Sequence, residues 1–252
     1  MAATTNYPPV SRYYVVARVP GSENSFPSWY ERLIHLCAVS ATEPRGTSYH
    51  WARSLSPDKV ERESLWGLEG YTDAAGFFDG HPASDVFKEQ MQIVDDQKLL
   101  RADYDLHHYW SEGGFLRREG EGTGEGGPEK GKSDGADGII SVVHFYIKGG
   151  KEKGGQAEVI KAFDQLAEQA KADRDIRSFL VLREVEGPKG WDGLVTLWIR
   201  TPTQATFTKL QSSSPYKDIV AELKAKGLIE KEAVHQSEWF NGHIDKKPLV
   251  EQ

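Results

Sequence analysis

A single cysteine, Cys37, is all that the 252 residues carry. No internal disulfide framework is therefore possible, and a reducing compartment suits the chain. Its neighbours Leu33, Ile34, Leu36 and Val39 give this thiol a packing role on a buried helix rather than a reactive one. No segment approaches the roughly 18 consecutive apolar residues of a membrane span. Met1 to Pro9 has neither a basic region nor an apolar core of the kind that directs secretion, so a cytoplasmic location is expected. Basic charge is also in short supply. Lys and Arg number 31 against 38 Asp and Glu, a net charge of −7, and a face able to displace phosphate counterions is not expected; nucleic acid is excluded as a partner. The common catalytic signatures are missing too. There is no Gly-x-Ser-x-Gly elbow. The glycines of Gly120–Gly127 and Gly154-Gly155 lack the strand, helix and Lys-Ser or Lys-Thr that make a phosphate loop. No histidine or acidic cluster has zinc-motif spacing, so neither metal nor cofactor is expected.

What the chain does contain is the same module twice. Tyr13-Tyr14-Val15-Val16, Tyr49-His50-Trp51, Leu65-Trp66-Gly67, Phe78 and Phe87-Lys88 recur as Val142-Val143-His144-Phe145, Phe179-Leu180-Val181, Leu194-Val195-Thr196, Phe207 and Tyr216-Lys217, each 129 or 130 residues later. A repeat of that length, present twice, is the mark of two joined copies of one fold. Between them the composition changes abruptly. Arg117 to Pro128 is glycine and charge with no apolar period, which cannot offset its ordering entropy by burial and predicts a flexible linker. The domains expected are residues 10–111, a linker over 112–138, and residues 139–245.

Each half predicts the order β-α-β-β-α-β. In the second, Ile139–Ile147 is β-branched and aromatic, and Val159, Ile160, Phe163, Leu166, Ala167 and Ala170 recur at helical spacing. Strands follow over Ser178–Glu184, Leu194–Arg200 and Val234–Phe240, with short helices over Thr203–Leu210 and Pro215–Lys226. The Gly- and Pro-rich Glu186–Gly190 reads as a turn. The first half follows the same plan. Both faces of the strands are apolar: Phe179 and Val181 point one way, Leu180 and Leu182 the other. Helices cover one face, and a sister sheet is the natural cover for the second. The expected fold is α+β: two tandem ferredoxin-like halves whose antiparallel sheets pack as an α/β barrel, a pseudo-dimer within one chain with further homo-oligomers possible.

Two stretches carry a family resemblance over nearly the whole chain outside the linker. Glu43-Pro44-Arg45-Gly46-Thr47-Ser48-Tyr49 resembles the helix-to-strand turn of the dimeric α/β-barrel superfamily, in its antibiotic-biosynthesis-monooxygenase-like branch. Glu69-Gly70-Tyr71 through His81-Pro82-Ala83-Ser84 resembles that branch's strand, acidic-aromatic turn and helix. The resemblance implies a cofactor-free oxygenase, or a related cyclase or isomerase, taking an electron-rich phenolic or polyketide-type molecule and O2. The haem-degrading branch carries an Asn early in its first strand, which Arg12–Val19 lacks. Members of no known activity exist, so a non-catalytic small-molecule-binding or stress-responsive barrel is the second reading and a haem-binding or haem-degrading barrel the third.

His81 is the candidate general base, since an imidazole titrates near neutral pH. Against this stands a purely structural role, capping the helix that starts near Ser84. His108 and His50 are the candidates for orienting the substrate oxygen, and alternation sends His108 and Trp110 to one face, His107 and Tyr109 to the other. Trp66, Tyr14, Tyr71 and Trp110 are the candidate walls for a flat aromatic ligand, although aromatics at strand spacing are commonly core. By offset Leu210 stands at the place of His81 and Leu180 at that of His50. The working pocket is therefore expected in the first half, the second serving as scaffold.

Overall fold

Strands form where the β-branched and aromatic runs lie, and helices where the apolar period is 3.6. The structure is a computed structural model and describes residues 13–118, 121–122, 137–148, 155–185 and 193–249. Along the chain the elements are β1 (Tyr13–Pro20), α1 (Phe26–Ser40), β2 (Gly46–Ser54), β3 (Ser64–Tyr71), α2 (Ala74–Phe78), α3 (Asp85–Asp96), β4 (Asp105–Phe115), β5 (Ile139–Ile147), α4 (Gly155–Ala170), β6 (Ser178–Val185), β7 (Leu194–Thr201), α5 (Gln204–Ser212), α6 (Ser214–Ala225) and β8 (Ile229–His243). Short 3-10 turns at Glu61–Glu63 and His81–Ala83 complete it. The fold class is α+β, with the ferredoxin-like β-α-β-β-α-β order repeated. The turn expected over Glu186–Gly190, most of the glycine-rich linker, and Gly154 lie outside the described residues.

The chain divides into two compact units, and their membership crosses the sequence halves. The N-terminal unit holds β1 to α3 and takes the end of β8 from Ser237 onward. Its sheet runs β1-β3-β2-β8, all antiparallel, with β2 residues Tyr49–Ser54 on Ser237–His243. The C-terminal unit holds β5 to α6 with β8 up to Gln236, and takes β4 from His107. Its sheet runs β8-β5-β7-β6-β4, with His108–Phe115 antiparallel to Phe179–Val185.

Strand β4 runs to Phe115, several residues into the stretch expected to be linker. The reason lies just beyond it. Buried Arg118 donates to the carbonyls of Ala170, Lys171, Asp173 and Ile176 at 3.3, 3.0, 2.6 and 2.7 Å, and its guanidinium lies over the Phe115 ring. The four carbonyls belong to the end of α4 and to the turn that follows it, where the regular helical ladder has stopped. An arginine whose partners are 52–58 residues away looks, in sequence, like any solvated linker charge.

Each unit packs one sheet face against its own helices. In the N-terminal unit Ala17, Val19, Tyr49, Trp51 and Leu65 meet Trp29, Leu33, Leu36 and Val94. In the C-terminal unit Val143, Phe145, Val181, Val195 and Leu197 meet Val159, Phe163, Leu166 and Val220. Caps start the helices: Asp73 accepts from Gly76 N, Ser84 from Phe87 N, Thr203 from Thr206 N and Ser213 from Tyr216 N. Cys37 is buried, and burial pushes its thiol up to about 12, so it packs and does not react.

The strand ladders also correct the repeat alignment. Tyr49 pairs with Glu69 and Phe179 with Ile199, so β3 and β7 correspond at an offset of 130. Val19 pairs with Leu65 and Phe145 with Val195, which sets β1 and β5 at 126. The constant 129 matched residues on opposite sheet faces in these strands, because side chains alternate.

Candidate active site

The N-terminal unit buries a polar cluster between its sheet and its helices. Glu69 and Tyr71 lie on the sheet face that meets the helices, two and four residues beyond Gly67, with Tyr49 opposite Glu69. Gly67 is required there: a Cβ would sit 2.7–2.8 Å from the Trp51 ring carbons. Tyr71 Oη donates to Glu69 Oε2 at 2.7 Å. His81 enters from the 3-10 turn between α2 and α3. Its carbonyl accepts from Ser84 Oγ at 2.8 Å, while Ser84 itself caps α3. The imidazole is thereby excused from capping and turns inward. It lies 4.9 Å, centroid to centroid, from both the Tyr49 and Phe87 rings. Its Nδ1 meets Glu43 Oε1 at 2.6 Å.

Glu43 sits in the turn between α1 and β2, where Gly46 opens the strand. The C-terminal tail pins this turn. Lys246 Nζ donates to the Glu43 carbonyl at 3.2 Å, Lys246 N to Thr47 O at 2.9 Å, and Leu249 N to Pro44 O at 2.9 Å. Above the pair opens a cleft of about 430 Å³, lined by Val39, Glu43 to Gly46, Ala75, Gly76, Asp79, Gly80 and Ser84. At its side Arg45 forms an ion pair with Asp73 at 3.0 Å, with both side chains nearly half exposed; such a pair contributes little to stability.

Burial alone would push the His81 imidazole down. The hydrogen bond to Glu43 and the charges of Glu69 and Glu43 outweigh it, and the group titrates above its ordinary range. Burial raises Glu69 despite the opposing pull of His81 and of the Tyr71 hydrogen bond. Burial, followed by the neighbouring Glu69 charge, holds Tyr49 and Tyr71 well above the usual phenol range, so both stay protonated. The arrangement can accept a proton and can hold anionic oxygen close to an imidazolium.

The corresponding positions of the other unit lack this chemistry. The ladders equate Tyr49 with Phe179, Glu69 with Ile199 and Tyr71 with Thr201. The shared hydroxyl bonds, Ser84 to His81 O and Ser213 to Leu210 O, equate His81 with Leu210. At these positions the C-terminal unit carries Phe179, Ile199, Thr201 and Leu210, and the turn equivalent to Glu43 carries Asp173, so the imidazole, the strand carboxylate and both phenols are peculiar to the N-terminal unit.

The remaining expected site residues do not join the cluster. His50 pairs across the ladder with Leu68, one residue out of phase with Tyr49, and so lies on the opposite sheet face with Tyr14 and Trp66. His50 therefore cannot orient a molecule held at His81, and Tyr14 and Trp66 cannot wall it. Of the expected aromatic walls Tyr71 alone shares the face of His81. His108 and Trp110 belong to the C-terminal unit, across from Val185 and Arg183. Burial, then the neighbouring His107, pushes His108 down to about 4, which keeps it neutral at physiological pH. The alternate residues of that strand carry a network of their own: His107 Nδ1 to Glu184 Oε1 at 2.6 Å, and Thr196 Oγ1 to Tyr109 Oη at 2.9 Å with His144 Nδ1 2.8 Å from Thr196. The unit expected to be pure scaffold is polar here. Among the described residues no group of three His, Cys, Asp or Glu is placed to hold a metal ion, and no helix is long and apolar enough to cross a membrane.

Glu43 and Glu69 were absent from the expected site, although both stand inside the stretches that carried the resemblance. The signal was there in a charged residue directly between an apolar helix and a strand whose both faces are apolar.

No family model matches the sequence, and no curated protein does. Solved structures do match. A candidate monooxygenase of Fusobacterium nucleatum superposes with a TM-score of 0.67 over 93% of this chain and 95% of its own, at 9% identity. One of Lactobacillus acidophilus gives 0.65 over 93% and 97%, at 8% identity. An anthrone oxidase-like protein gives 0.64 over 96% and 97%, at 10% identity. At such identities the likeness is one of fold.

Proposed function

We propose that this protein is a cofactor-independent monooxygenase, or a related cyclase or isomerase, that acts on a phenolic or polyketide-type small molecule in the N-terminal unit, with the His81–Glu43 pair as general base. The observation that carries the reading is the 2.6 Å contact of a buried imidazole with a carboxylate that lines a cleft of about 430 Å³. A hydrogen bond donated by a ring N–H to a carboxylate is what fixes an imidazole's tautomer and raises its basicity. Removal of the substrate's acidic proton leaves an electron-rich anion, and such anions reduce O2 directly. For a CH2 flanked by aromatic rings the balanced outcome is C=O, with one oxygen atom retained and the other released as water. Cytoplasmic O2 and the small molecule are the partners this chemistry needs.

Oxygen uptake with anthrone- and naphthol-type substrates tests the proposal. The wild type should consume O2, and the double variant Glu43→Gln/His81→Asn should lose about 10² to 10⁴ in rate, the usual share of a general base. Equal uptake by both proteins sinks the assignment. Binding without any uptake by the wild type favours the second reading, a non-catalytic small-molecule binder; the near-complete burial of His81 is the observation on that side.

A further inference from the structure

The two members of the pair are not equally placed. Glu43 belongs to the cleft wall and its side chain is 15% exposed, whereas His81, at 1%, lies behind it. Glu43 Oε1 is engaged by His81. Its Oε2 is buried and has no hydrogen-bond partner among the described residues. Where Oε2 faces can be read from Gly46, which also lines the cleft. A Cβ added to Gly46 would stand 3.4 Å from both Oε2 and Cβ of Glu43 and 3.5 Å from the Ser40 carbonyl, so a side chain on this cleft-lining glycine would meet that oxygen. An acceptor kept dry and without a partner at the edge of a cavity is costly unless a ligand satisfies it.

Resting on the function proposed above, we infer that Glu43 is the catalytic residue that touches the substrate, that its Oε2 takes the proton of an acidic hydroxyl on a flat phenol or enol, and that His81 is a positioning residue behind it. The step balances simply. The substrate O–H bond breaks, an O–H bond forms on Glu43 Oε2, and the electron pair stays on the substrate oxygen. The proton between Glu43 Oε1 and His81 Nδ1 ends on Nδ1, so an imidazolium faces the new carboxylic acid and lies behind the new oxyanion. The upward displacement of His81 agrees with an imidazole that carries this proton at neutral pH. Flatness follows from the wall. Gly46, Ala75, Gly76 and Gly80 contribute almost no side chain and Pro44 offers a rigid apolar edge, while Arg45, Asp79 and Ser84 share the rim with Glu43 as its polar groups.

The probe is 4-nitrophenol, whose phenolate absorbs in the visible while the phenol does not. Titrated into the protein below the probe's own ionisation range, it should bind with growth of the phenolate band. In Glu43→Gln the band should vanish and affinity fall about tenfold or more, the weight of a hydrogen bond to a charged group. In His81→Asn, which keeps a side-chain N–H for Oε1, the band should persist. Gly46→Ala puts a methyl at ordinary contact distance from Oε2, and so should weaken binding by a comparable factor in a protein whose thermal midpoint is unchanged. A band lost in His81→Asn, or kept in Glu43→Gln, overturns the inference, as does a wild type that binds no nitrophenol. The oxygenase reading has its own readout, O2 uptake by the wild type, and can stand or fall separately.

Discussion

The Glu43–His81 contact has a stability signature that a double-mutant cycle can isolate. In His81→Leu the pair loses a short hydrogen bond between charged partners, worth about 1.5–3 kcal/mol. It also loses ring contacts to Tyr49 and Phe87, which add about 0.5–1.5 kcal/mol. The single variant should therefore cost about 2–4 kcal/mol in urea unfolding near neutral pH. Glu43→Leu removes the other partner, and the double variant removes both, so the coupling energy reports the pair alone. Its pH dependence has a definite sign. His81 titrates higher in the folded protein than its ordinary 6.5. Its contribution is fully present below that ordinary value and is lost as pH rises through the folded one. Coupling should be about 1.5–3 kcal/mol at about pH 6 and should shrink by about pH 9. Glu69, displaced upward as well, acts with the same sign in a lower window, and because its own shift responds to the charges of His81 and Glu43 the cycle is read above that window. Coupling below about 0.5 kcal/mol at both pH values, or coupling that grows with pH, would refute the charge state assigned to this imidazole.

Two further perturbations test the frame that carries the site. Arg118→Met leaves four carbonyls around the end of α4 without their donor and should cost about 2–4 kcal/mol in denaturant unfolding; Arg118→Lys should recover little, since an ammonium cannot span that fork. Gly67→Ala pushes a methyl into the Trp51 ring and should cost about 1–3 kcal/mol, with a changed tryptophan fluorescence spectrum as the local report.

Most of the secondary structure and the duplication were legible because both are written in β-branched runs and helical periods. What failed did so for physical reasons. A spacing pattern counts residues, but strand faces depend on parity: a shift of one in β3 against β7 sends every side chain to the other side. The same parity separates His50 from His81, although both read as histidines of one half. In sequence, Glu43 reads as a solvated turn glutamate next to proline; its meaning comes from an imidazole 38 residues downstream. Arg118 reads as linker for the same reason. Aromatic composition gave Tyr71 a place in the site, whereas Trp66 and Tyr14 follow the strand to the far face.

The exchange of end strands has a consequence for how this chain can be handled and how it could have arisen. Cut anywhere in the glycine-rich joint, it yields two fragments, each lacking an edge of its own sheet: residues 139–252 lack the β4 partner of β6, and the N-terminal fragment lacks the stretch that pairs with β2. Neither fragment is a finished object, and mixing the two is the way to regain a fold. A gene fusion that made such mutual dependence permanent would also have released each copy from having to match the other.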